Sequence, residues 1–151
     1  MHFPLKTRSL RWLLLLPALT VITEVVVSAP PLPNPVLYFM SAEAVQQNGK
    51  TFVRYHYDVF NKDQYPADMF AAAPNLPPCG ANKKSSRTWV DIYDQREKRL
   101  YGFCALTKPQ DLNQIYFQVE DGVTPPSWIY VEMTDRQTNT KYKSNLAETS
   151  N

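Results

Sequence analysis

From residue 36 to residue 145 the chain never runs far without a turn signal. Asn48-Gly49, the QREK of 95–98, the TKPQD of 107–111, the DGVTPP of 121–126 and the RQTNT of 136–140 punctuate it. Between them lie short runs rich in Val, Ile, Tyr, Phe and Trp, the residues that favour strands. Several alternate with period 2. In "TFVRYHYDVFN", Val53, Tyr55, Tyr57 and Val59 alternate with Arg54, His56 and Asp58, the pattern of a strand with one buried face. In "RTWVDIYD", Val90 and Ile92 share one side, and Trp89, Asp91 and Tyr93 share the other. Ile115, Phe117 and Val119 fall on one side of the next run but one, and Ile129, Val131 and Met133 on one side of "SWIYVEMTD". No long helical stretch competes with this reading. Short strands at such spacing predict an all-β fold, a single antiparallel β-sandwich of about seven strands.

The ends read differently from the middle. Residues 1–29 have the order of a signal peptide: Lys6, Arg8 and Arg11 without an acid, then the apolar "WLLLLPALTVI", then small residues at Ser28 and Ala29. Glu24 and Pro30 weaken a cut after Ala29, and an uncleaved membrane anchor is the alternative. The leader accounts for the whole net charge of +2, and the rest of the chain carries as many acids as bases. The basicity is thus no sign of a nucleic-acid partner, which would need clustered Lys and Arg. A proline-rich linker at 30–35, a sandwich domain at 36–146 and a disordered tail at 147–151 complete the expected organisation. The expected location is secreted or periplasmic, with no membrane span once the signal is removed.

The long stretch 62–86 carries four prolines, a glycine and many turn formers, with one short helical turn expected at "ADMFAAA". A connection of this length is usual only when functional or tied down. Cys79 and Cys104 are the only cysteines. In an exported chain two lone thiols tend to pair, and that bond would staple the long loop to a strand. A zinc site would want more ligands than one histidine past the leader supplies. A nucleophilic cysteine would want a base beside it, and nothing places His56 there.

In length, strand count and proline-led start, residues 33–146 resemble a fibronectin type III or immunoglobulin-like module. The resemblance implies the fold alone, since no binding motif of either family is matched. It departs from immunoglobulin domains in its disulfide, which would pin a loop rather than join the two sheets.

Catalytic signatures are thin. There is no G-x-S-x-G, and the four glycines are scattered. Asp58, Asn61, Asp63 and Asp68 offer oxygen ligands without the spacing of a calcium loop. No cofactor and no metal are expected. If Val90, Ile92, Ile129, Val131 and Met133 face inward, then Trp89, Tyr93, Trp128 and Tyr130 share an outer sheet face, joined by Tyr101 and Phe103 on a strand between them. Exposed aromatic patches mark binding surfaces. Lys83, Lys84 and Arg87 would stand at its rim. The expected function is a non-catalytic binding or structural module that contacts a protein or glycan. The alternative is a small exported enzyme, or an enzyme's accessory domain, centred on His56.

Overall fold

The computed structural model describes residues 31–77, 79 and 85–149. The leader, Lys83 and Lys84 lie outside them. Eight strands form: β1 (Leu37–Gln47), β2 (Lys50–Val59), β3 (Thr88–Asp94), β4 (Arg99–Phe103), β5 (Ile115–Glu120), β6 (Trp128–Asp135), β7 (Thr140–Lys143) and β8 (Ala147–Glu148). One sheet has the order β1-β2-β5, and the other has the order β4-β3-β6-β7, with β8 pairing farther along β6. Every pairing is antiparallel. The all-β sandwich expected from the punctuation is present.

The last two strands are one interrupted strand. Glu132 lies opposite Lys143 and Ile129 opposite Ala147, so the outer strand carries one residue more than β6 over that interval. Such an extra residue is a bulge, which bends its strand. The Ser144 hydroxyl accepts the Val131 amide there, at 2.9 Å. The turn chemistry also holds locally. Asn48 and Gly49 have φ of 53° and 74°, as a two-residue hairpin turn with both centres left-handed requires.

The core follows the period-2 pattern. Tyr57 and Val59 of β2, Ile115 and Phe117 of β5, Val90 and Ile92 of β3, and Ile129, Val131 and Met133 of β6 are all buried. Each such apolar side chain contributes about 1.5–3 kcal/mol through burial. Tyr57 takes its hydroxyl inside, where it donates to Thr149 Oγ1 at 3.2 Å. Burial pushes its phenol up to about 12.

Several segments depart from expectation. Residues 147–149 do not fray: Ala147 is buried in β8, and Thr149 is the buried partner of Tyr57. The described part of the proline-rich linker is docked on the body. Leu32 packs on the core. Pro33 O accepts the Tyr65 hydroxyl, and Asn34 O accepts the Asn61 amide. Lys62–Gln64 and Pro109–Gln114 are 3-10 helices that the turn signals did not announce. The second takes Leu112 out of the following strand and buries it. The expected helical turn does form at Ala67–Phe70, and it drives Met69 and Phe70 into the core.

Candidate functional site

Cys79 and Cys104 are disulfide-bonded, with Cα atoms 6.1 Å apart and a separation of 25 positions in sequence. Their loop is tied at other points. Ala72 bridges Ser86, Ser86 N–H donates to Cys104 O, and Arg87 N–H donates to Ala71 O. The bond is a staple for a segment that already carries three core residues, Tyr65, Met69 and Phe70.

Arg87, expected at a binding rim, is taken up in structure. Its Nε and Nη2 donate to the two oxygens of Asp135 at 2.8 and 2.6 Å, and its Nη1 reaches Asp68 at 3.1 Å. The fork geometry suits a bidentate carboxylate. Arg87 also lines a hollow of about 420 Å³ with Asp68, Ala72, Leu76 and Gln137.

The oxygen ligands considered for calcium go separate ways. Asp58 is buried, against the expected exposed stripe, because it accepts Lys62 Nζ at 2.6 Å and the Tyr38 hydroxyl at 3.0 Å. Asn61 accepts the Val36 amide, Asp63 receives Gln110, and Asp68 receives Arg87. Among the described residues no cluster of three or more His, Cys, Asp or Glu could hold a metal.

The outer face of β4-β3-β6-β7 carries the aromatic residues picked out by alternation. Trp89 and Tyr93 project from β3, on the opposite side from the buried Val90 and Ile92. In register they lie opposite Thr134 and Tyr130 of β6. β3 and β6 are direct neighbours. β4 is the edge strand rather than a strand between them. Tyr101 and Phe103 pair with Ile92 and Val90, so they lean to the inner side and leave this face. They pack instead on Tyr116 of β5, with ring centroids 5.3 and 5.4 Å away.

A groove of about 330 Å³ runs over this face. Trp89 and Tyr93 form its aromatic lining, with Asp91 between them on β3. Glu132 and Thr134 enter from β6, and Arg136, Asn139 and Lys141 from the hairpin beyond it. Alternation placed Asp91 beside Trp89 and Tyr93, and the same reading extends to Glu132 and Thr134 on β6. The hairpin residues depend on how the 136–140 turn folds back, which alternation does not give.

The charges are ordered in pairs. Asp91 accepts Arg99 Nε at 2.7 Å, and Glu132 accepts Lys141 Nζ at 2.8 Å. Arg99 lies so close over Gly102 that any Cβ there would strike its guanidinium and the Asp91 carboxylate. Glycine in β4 is what lets this pair form. The Tyr93 phenol is pushed up by burial and by the Asp91 and Glu132 charges. Two further cations rest on rings. The Arg136 guanidinium lies 3.6 Å from the Trp89 ring centroid, and Lys143 Nζ lies 4.0 Å from that of Tyr130. Tyr130 is only 6% exposed, stacked on Tyr93 at 5.3 Å and covered by Lys143. Trp128, next along the same face, is 40% exposed. Of the four aromatic residues expected to form an open patch, Trp128 is open, Trp89 and Tyr93 are half-buried in the groove, and Tyr130 is its buried support.

His56 lies on the outer face of the other sheet. Its Nε2 is 2.9 Å from Glu43 Oε1, a side chain 55% exposed on the neighbouring strand. Arg54 covers Tyr116 at 4.3 Å on the same face. His56 lines neither the Arg87 hollow nor the Trp89 groove, nor a third hollow beside Pro125 and Pro126.

No known protein family matches this chain, and neither a curated protein nor a solved structure matches it.

Proposed function

We propose that the protein is an exported, non-catalytic binding module that holds a glycan on the outer face of its β4-β3-β6-β7 sheet. One observation carries this reading. A single groove on a sheet packed against the apolar core combines two aromatic side chains with carboxylate, amide, hydroxyl and guanidinium groups. Sugar rings present apolar faces that stack on aromatics and hydroxyls that bond to such polar groups. A protein partner fits less well, since charged residues are depleted at the centres of protein interfaces. Here Asp91 and Glu132 occupy the middle of the groove.

The strand arrangement supports the immunoglobulin-like and fibronectin type III-like reading of the fold. The fourth strand pairs with the third, in the sheet opposite the first two. The disulfide favours an oxidising compartment, and the basic-then-apolar order of residues 1–29 favours export by a signal peptide. The enzyme alternative has one supporting contact, His56 with Glu43. An exposed pair outside the hollows at Arg87, Pro125 and Trp89 is a poor general base for a bound substrate.

The test is a tryptophan-fluorescence titration with neutral and acidic oligosaccharides. Binding is expected to perturb the emission of the wild-type protein. Trp89→Ala and Tyr93→Ala should abolish the change while the far-UV circular dichroism stays unaltered. No response to any oligosaccharide would refute the reading.

A further inference from the structure

Resting on the glycan reading, we infer that the ligand is an acidic polysaccharide carrying uronate carboxylates, received by Arg136 and Lys143. The charge arrangement on the groove face is the ground for this. The two acids that line the groove, Asp91 and Glu132, already have a cation each in Arg99 and Lys141. Arg136 and Lys143 have no carboxylate partner among the described residues. The groove is therefore flanked by two spare positive charges, with one acid unpaired among the described residues, Glu148, farther along the face opposite Trp128. Both are parked on aromatic rings, over Trp89 and Tyr130. A cation held over a ring keeps its charge uncancelled and ready for an anion.

Their placement favours an extended polyanion over a single small anion. Tyr130 pairs with Tyr93, and Trp89 lies four positions from Tyr93 along β3. At about 3.3 Å per residue, the two cations flank about 13 Å of groove. Sugar units lying along the strands would stack between them and offer carboxylates at both ends. Arginine's planar fork matches a carboxylate in particular.

A second observation points the same way. The indole N–H of Trp89 is shielded and has no acceptor among the described residues. Arg136 is also tethered by a bond from Nη1 to Pro77 O, at 3.0 Å. When the guanidinium turns toward a ligand carboxylate, the Trp89 ring face and its free donor open to the sugar. The tether joins the groove to the stapled loop, two residues before Cys79.

The experiment compares four probes by isothermal titration calorimetry: oligogalacturonate, its methyl ester, a neutral cello-oligosaccharide and poly-glutamate. Oligogalacturonate should bind at least about tenfold more tightly than its ester, with affinity falling as salt rises, because a pair this exposed is screened within about 10 Å at 0.1 M. Lys143→Gln touches only the outer side of Tyr130 and should weaken binding several-fold with the melting temperature unchanged. Arg136→Gln should weaken binding as well, with some loss of melting temperature from the missing Pro77 bond, and Lys143→Arg should bind like the wild type. Ester and acid binding equally, or Lys143→Gln binding like the wild type, would overturn the acidic ligand and leave the glycan site standing. Poly-glutamate matching oligogalacturonate would overturn the saccharide in favour of an acidic peptide. Failure of both the acidic and the neutral saccharide would remove the glycan reading as well.

Discussion

Asp135 closes β6 with both carboxylate oxygens committed to Arg87, plus the Gln137 amide on Oδ1 at 2.9 Å. The guanidinium outweighs burial and holds its carboxyl at about 2. A folded value below the ordinary one means that the stabilisation is full above about pH 4 and is lost as pH falls through about 2. The linkage amounts to on the order of 2 kcal/mol. Urea unfolding at pH 5, 3 and 2 should show that loss, and Asp135→Asn should flatten the acid limb of the curve. A residual slope is expected from Asp111. Burial alone would raise its carboxyl, but bonds from the Thr107 amide and hydroxyl and the Lys108 amide bring it below the usual range. Asn145 acts at the same scale. Its side-chain amide accepts the Leu37 N–H at 2.8 Å and donates to the Leu37 carbonyl at 2.9 Å. One side chain thus imitates a strand partner and ties the start of β1 to the bulge before β8. Asn145→Ala should cost about 1–3 kcal/mol, because it leaves buried backbone groups unpaired. A change under 0.5 kcal/mol in chemical denaturation would mean that water replaces it fully, which is within the range of exposed substitutions.

At the level of elements, the strands were readable because each is a local statement: alternation sets the faces, and Asn-Gly or a Pro-Pro pair sets the ends. Val90, Ile92, Ile129, Val131 and Met133 point inward for that reason. The elements that escaped depend on distant partners. Ala147 and Thr149 carry no periodic signal, and they are held by β6 and by the Tyr57 hydroxyl. Residues 109–114 read as the end of a turn and the start of a strand until the Asp111 carboxylate gathers the Thr107 and Lys108 amides and Leu112 finds the core. The site was half readable in the same sense. Trp89, Tyr93, Trp128 and Tyr130 share the face that alternation gave them. The sequence pattern could not show that Arg87 is consumed by Asp135, or that Arg136 and Lys143, beside the groove, meet no carboxylate among the described residues. Long-range ion pairing decides both. The long connection gives a test of its own. Closing the Cys79–Cys104 loop should stabilise the fold by about 3.5 kcal/mol in the chain-entropy picture. On reduction, amides anchored in the loop, such as Ala73 to Ser85 O, should lose hydrogen-exchange protection well before those of Val90 and Val131. Equal loss at both places would show that the staple holds the whole sandwich rather than the loop.

Across the whole molecule the two outer sheet faces divide their roles. On the face of β1-β2-β5, His56 meets Glu43, and Arg54 lies on Tyr116 and donates to the Gln118 amide oxygen, and among the described residues no groove lined by aromatic rings surrounds them. The face of β4-β3-β6-β7 keeps a groove, a shielded indole donor and two cations without carboxylates. The core beneath it is a continuous apolar cluster, so the groove is a surface on a packed support, which suits recognition without a large ordering cost. Mapping backbone amide shifts by two-dimensional NMR during titration with oligogalacturonate tests this division most directly. The largest shifts should fall on Trp89, Asp91, Tyr93, Thr134, Lys141 and Lys143, with the indole N–H of Trp89 moving as it gains an acceptor. Shifts centred on His56, Tyr116 and Gln118, with the β3 and β6 amides unmoved, would contradict the account.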